Sequence, residues 1–173
     1  MNAAERWLGA GIDELHPLLR RLHRDGGRLR GPIDVRFGRG LAGLLGRRLA
    51  RRLGMPGAGG NVMEVDIRSD ADGLRWHRRF NGATEFRSLF APHARYPDGH
   101  WTESSGRIRL KLAVRIIDGG WHWQQLGASL HGMPLPAWLF AGTRAGKDIV
   151  DGRYRFAVEL LLAYGGVLEP VDV

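Results

Sequence analysis

Charged and apolar residues take turns almost without a slip along Arg107–Ile117, and the run resumes after Asp118-Gly119-Gly120 as Trp121–His131. Successive side chains of a strand point to opposite faces, so this alternation predicts a hairpin with one buried face and one basic, solvated face. The same period recurs upstream. Met63, Val65 and Ile67 alternate in one run, Asp70–Gly73 supplies a turn, and Leu74, Trp76 and Phe80 follow in the next. Asn81-Gly82 is a strong two-residue hairpin signal, after which Phe86 and Phe90 continue the sheet. Residues 91–106, with His93, Tyr96, His100, Trp101 and Glu103, read as a looser segment. Pro134-Leu135-Pro136 then breaks the pattern into a short helical turn near Trp138. Asp151-Gly152 leads to a last strand with Tyr154, Phe156, Val158 and Leu160 on one face.

A period nearer 3.6 governs the first third. Leu15, Leu18, Leu19 and Leu22 share a helical face, Pro17 suits the first turn, and Asp25-Gly26-Gly27 ends the helix. Residues 32–37 form a short strand, and a second helix is expected over about 41–53. Its Leu41, Leu44, Leu45, Leu49 and Leu53 span half the helical wheel, yet Arg48 and Arg52 fall in the same arc. Either the arginine stems pack while their heads reach water, or the helix lies over an anion, a membrane surface or a partner.

A lone hairpin does not bury enough to offset the entropy of ordering it, so the strands must share a core. The expected fold is α+β: a strongly curved antiparallel β-sheet or open β-barrel of about 7–8 strands, with N-terminal helices packed on it. At 173 residues this is one domain spanning 1–173, helical over about 1–55 and sheet over about 61–168.

Composition narrows the chemistry. With no cysteine, disulfides and thiolate metal sites are excluded. The start lacks the apolar core of a signal peptide and no apolar run is long enough to span a bilayer, so a cytoplasmic location is expected. The net charge of +8 invites a nucleic-acid reading. Only Lys111 and Lys147 are lysines, however, and the 24 arginines are scattered, as GC-rich codon usage would leave them. A nucleic-acid partner is therefore not expected.

Gly38-Arg39-Gly40-Leu41-Ala42-Gly43 matches G-x-G-x-x-G and opens a helix, which raises a nucleotide-binding enzyme as an alternative. Charges in the preceding strand and the single βα unit count against it, leaving an anion at the helix N-terminus near Arg39 and Gly40. Trp76, Arg78 and Phe80 lie on one face of one strand. An arginine between two aromatics is either in a structural ion pair, with Glu103 as the natural partner, or in a cavity where it meets an acidic head group with Ser88 nearby. The seven histidines show no metal spacing, the serines lack a nucleophile-elbow context, and nothing pairs Glu85 with Glu103 as acid and base.

Several fragments together resemble an uncharacterised bacterial family, domain of unknown function 4166. They are Leu22-His23, Gly38-Arg39-Gly40, Trp76-x-Arg78-x-Phe80, Phe86-x-Ser88, Glu103, Gly132–Pro136 with Trp138, and Asp151–Phe156. The likeness runs from about residue 6 to 168, although the tail Leu161–Leu168 is compressed, so a shorter or differently paired final strand is expected. The resemblance implies a module that works beside a dehydrogenase- or epimerase-like enzyme, and it supplies no catalytic residues or cofactor. The expected function is a non-catalytic module holding an apolar or acidic amphipathic small molecule between sheet and helices, with Trp76, Arg78, Phe80, Ser88 and Glu103 at the ligand. The alternative is an accessory domain for a companion oxidoreductase-like protein.

Overall fold

The computed structural model describes residues 1–137, 143–159 and 162–171. The chain opens with helix α1 (Ala3–Leu8), capped by a reciprocal Asn2–Glu5 box, then a 3₁₀ segment (Gly9–Glu14) and helix α2 (Pro17–Asp25). Pro17 occupies the first turn of α2, where a missing N–H costs nothing, and the His16 side chain accepts from Leu18 N–H. Strand β1 (Gly27–Phe37) and helix α3 (Gly40–Arg52) follow. Then come β2 (Gly59–Ser69), β3 (Leu74–Phe80), β4 (Thr84–His93), β5 (His100–Ser105), β6 (Ile108–Ile117) and β7 (Gly120–Leu130). The two-residue β8 (Met133–Pro134) precedes β9 (Arg144–Val150), β10 (Arg153–Glu159) and β11 (Leu162–Pro170).

The strands pair in the order β6-β5-β4-β3-β2-β1-β11-β10-β9-β7, and β7 returns to β6. Every pairing is antiparallel and the ring is closed, so ten strands form a barrel with β8 appended to β7. The antiparallel barrel with N-terminal helices agrees with the sequence pattern. Its closure and its strand number do not. The strands missed were those that face polar residues inward. β9 sends Lys147 inside and β5 sends Glu103 and Ser105, which broke the apolar alternation. β1 was read too short because Gly31 and Pro32 interrupt it. The β1–β11 ladder passes over these two residues, so the absent N–H of Pro32 leaves no gap in it. The final strand is neither short nor mispaired: β11 runs nine residues against both β10 and β1. Trp138 and Leu160 lie outside the described residues.

The hairpins from the sequence are present. Asn81 and Gly82 both take positive φ (50° and 70°) between β3 and β4, and Asp118-Gly119 does the same between β6 and β7. Because β1 leaves α2 and runs toward α3, the helices sit at opposite ends of the barrel. At the first end Trp7 of α1 drops between Trp101 and Trp121 of the wall, at 5.6 and 6.5 Å between ring centres, and its indole N–H donates to His93 O at 3.1 Å. His23 of α2 stacks on Trp121 at 4.3 Å. This aromatic plug, with Leu15, Leu19 and Leu22, closes that end.

At the other end α3 packs against β1 and β11 through small residues. Gly43, Gly46 and Ala50 face the barrel, and a Cβ on Gly43 would sit 1.9 Å from Gly38 O. Leu49 and Leu53 reach the core, while Leu41, Leu44 and Leu45 stand in water. The helix thus turns out the leucines that the wheel suggested it would bury.

Close strand approach gives a direct test. A Cβ on Gly31 would lie 2.2 Å from Val167 O, whereas one on Gly60 meets nothing within 4 Å. Gly31→Val is expected to cost about 3 kcal/mol or more in urea unfolding, while Gly60→Ala stays neutral or gains up to about 1 kcal/mol.

Candidate functional site

Strand alternation aims Trp76 and Arg78 of β3, Ser88 of β4 and Glu103 of β5 into the barrel. The cross-strand registers Trp76↔Ser88 and Phe90↔Glu103 then set them side by side. Arg78 is 5% exposed and Ser88 4%. Arg78 Nη1 donates to Ser88 Oγ at 2.9 Å, and Ser88 Oγ donates to Glu103 Oε1 at 2.7 Å. A hydroxyl has one hydrogen, so the 2.7 Å contact between Ser88 and Ser105 is filled by Ser105 donating. Arg78 Nη2 is 3.9 Å from Glu103 Oε1, a loose pair bridged by the serine. The guanidinium lies 5.0 Å from the Trp76 and Phe86 ring centres and 6.0 Å from that of Phe90.

Trp76, Arg78 and Glu103 border an interior cavity, whereas Ser88 stands behind Arg78, and Phe80, although buried, does not line it. Arg39 and Gly40 are exposed at the N-terminus of α3 and do not line it either. The glycine motif has no parallel neighbour to make a dinucleotide fold, since β1 pairs antiparallel with both β2 and β11. Its glycines let α3 turn tightly on Gly38. Among the described residues no three His, Cys, Asp or Glu side chains converge to hold a metal.

A second buried cation, Lys147, went unnoticed in the sequence. It is 5% exposed, and its Nζ lies 4.2 Å from the Trp76 ring centre, with Trp121 and Trp123 at 5.3 and 5.5 Å. His23 Nδ1 is 2.7 Å from Leu19 O, so that nitrogen must carry the proton and donate. Nε2 therefore accepts from Lys147 Nζ at 3.1 Å. Burial, with the charge of Arg78 behind it, holds the Lys147 pKa well below its ordinary value. Burial first, then Lys147, likewise holds His23 well below the imidazole range. The nearest indole returns about 2 kcal/mol to the ammonium, against several for burying the ion, so the neutral amine prevails. One signal was available: Lys147 is one of only two lysines in a chain that otherwise writes its basic residues as arginine.

Arg78 and Lys147 both border this interior cavity of about 90 Å³, with Tyr154, Gln125, Tyr164 and Glu103 among its polar walls. Met63, Phe90, Leu110, Leu112, Phe156 and Val158 make much of the remainder. The Tyr154 hydroxyl, the Trp76 indole N–H and both amide atoms of Gln125 have no hydrogen-bond partner among the described residues. Burial pushes the phenols of Tyr154 and Tyr164 up, keeping them protonated donors. A second cavity of about 90 Å³ lies under α3, lined by Leu49, Leu53, Met55, Phe86 and Leu162. It shares Glu103, Leu110, Val158 and Tyr164 with the first, so the two cavities adjoin across these side chains.

The molecule is thus a closed antiparallel β-barrel with a polar cluster inside and helices at both ends. Residues 15–169 match the family model described as domain of unknown function (DUF4166), and the chain belongs to that family. No curated protein and no solved structure matches it. Among the described residues no helix is long and apolar enough to cross a membrane.

Replacing the buried amine tests its charge state. An unfolded lysine keeps its proton to about pH 10.4, whereas the folded chain favours the neutral form, so folding releases a proton between those limits. Stability contributed by Lys147 therefore rises with pH by up to about 1.4 kcal/mol per unit and is lost as pH falls toward the folded pKa. Lys147→Met is expected to remove that slope on the acid side of about pH 10 in urea unfolding. Equal slopes in both proteins would show the amine charged in its indole cage.

Proposed function

We propose that this barrel binds a small amphipathic molecule through an anionic or carbonyl oxygen. One observation carries the reading: around the main cavity, hydrogen-bond donors outnumber acceptors. Arg78 and Lys147 border it, the Tyr154 hydroxyl, the Trp76 N–H and the Gln125 amide stand there without partners, and among the described residues Glu103 is the one carboxylate on its wall. A buried donor left unpaired costs about 1–3 kcal/mol, so several around one space favour an occupant rich in acceptors.

Shape supports the same reading. On the ~10–15 Å³ that one water needs, the main cavity holds a handful of waters or a compact head group, and falls short of a drug-sized ligand. An aliphatic tail would run into the apolar space beneath α3, past Leu110 and Val158 toward Leu49 and Leu53. Arg78 would hold the acid, because it is fixed by Ser88 on one side and clasped by aromatic rings on its faces. Tyr154 would donate from the opposite wall.

Short and medium aliphatic acids are the natural probes. Hexanoate to decanoate are expected to raise the melting temperature more than the matching alcohols do, since only the acids answer the cations. Arg78→Leu should weaken acid binding by at least about tenfold, or ~1.4 kcal/mol, with alcohol binding little changed. Tyr154→Phe should weaken it less while leaving the fold intact. If acids and alcohols bind alike, or no acid shifts the melting temperature, the reading fails.

A further inference from the structure

Helix α3 concentrates what the rest of the surface avoids. Leu41, Leu44 and Leu45 are 82%, 69% and 48% exposed on one short stretch. From Gly38 to Met55 the chain carries five arginines, at 39, 47, 48, 51 and 52, and no acidic residue. Among the described residues none of these five makes an ion pair. Most arginines of the barrel wall behave differently, although Arg109 and Arg115 of β6 and Arg144 of β9 also lack an ion pair among the described residues. Arg75 meets Asp70 at 2.9 Å, Arg87 meets Glu85 at 3.0 Å, and Arg28 and Arg68 both reach Asp66. Arg30 and Arg79 share Glu64 in the same way. On α3 arginines without ion pairs thus coincide with exposed leucines, and of the five only Arg47 has an aromatic contact, 5.3 Å from the Phe37 ring centre.

We infer that α3 docks on an anionic lipid bilayer, lying in the interfacial plane at the end of the barrel. Thirteen residues make a helix about 20 Å long. That is too short to span a membrane and adequate to lie on one, with leucines in the acyl boundary and arginine heads among the lipid phosphates. Charge complementarity selects this occupant over others. A second copy of the chain would set five arginines against five. A nucleic-acid backbone would satisfy the arginines and leave the leucines in water. Gly43, Gly46 and Ala50 are the buried face of α3 where it packs on β1 and β11, so the leucines at 41, 44 and 45 are left on the outward side. Met133, 68% exposed, protrudes from the same end of the barrel.

The docking reading stands without any ligand in the barrel, and its test involves none. Purified full-length protein is floated with vesicles of phosphatidylcholine alone or of phosphatidylcholine with phosphatidylglycerol. Binding is expected to the anionic vesicles, to fall several-fold between low and high salt, and to be nearly absent on phosphatidylcholine. Leu41→Gln/Leu44→Gln/Leu45→Gln should retain its circular dichroism and melting temperature, since these side chains are exposed, and lose at least tenfold in vesicle binding. Arg48→Gln/Arg51→Gln/Arg52→Gln should lose the preference for anionic lipid. The inference is overturned by failure to float with anionic vesicles. Wild-type binding by the leucine variant, or displacement from vesicles by duplex DNA at equal phosphate, would overturn it equally.

Discussion

A guanidinium keeps its charge wherever it is placed, and Arg78 is placed inside a barrel. Much of the interior follows from that. The charge must be answered within reach of one side chain, and β4 and β5 answer it with Ser88, Ser105 and Glu103. These polar groups displace the aliphatics that a barrel of this size needs to fill itself, and the aromatic rings of Trp76, Phe86 and Phe90 close around the guanidinium in their stead. Lys147 shares that interior, where burial first and the Arg78 charge second press it toward the neutral amine, and it leans on His23. Buried ionic groups seldom add net stability compared with a well-packed apolar core. A fold that keeps Arg78 and Glu103 inside beside unpaired donors gives up some of the stability that an apolar interior would supply.

The contrast between wall and lid is the second organising feature. Outside, neighbouring strands set most arginines opposite acids, with Arg109, Lys111 and Arg115 of β6 as exceptions, so much of the positive count is cancelled there. On α3 it is not cancelled. Net charge alone therefore says little about a partner, and the location of the uncancelled part says more. The interior cavity and the outward leucines meet at this helix, since Leu49 and Leu53 line the space beneath while Leu41, Leu44 and Leu45 face away.

Legibility in the sequence followed side-chain chemistry. Where inward residues are uniformly apolar, as in Met63, Val65 and Ile67 or in Leu110, Leu112 and Val114, period two gave the strand and its face. Where the interior is polar, the pattern looked like loop, and β5 and β9 were lost. The Arg78, Ser88 and Glu103 cluster was readable because an arginine among aromatics demands a partner. Lys147 and Tyr154 were not, because their convergence depends on β9 and β10 crossing the barrel to face β3. Phe80 shares a face with Arg78 yet lies away from the cavity, since a shared face fixes direction and says nothing of depth. On α3 the hydrophobic count pointed inward and the glycines decided otherwise, because close backbone approach depends on what a side chain lacks.

The seam between β1 and β11 has a consequence for how the molecule is made. Leu29 pairs with Pro170 and Phe37 with Leu162, so the first strand of the barrel closes on the last. During synthesis β1 can find β2 early, but its other edge must wait for nearly the whole chain to leave the ribosome. Such distant pairing is slow to form, and until it forms an open edge is free to recruit strands from elsewhere. The glycine-lined approach of β1 to β11 is therefore the step at which folding of this barrel and its aggregation compete, and helper proteins that shield nascent edges would act there.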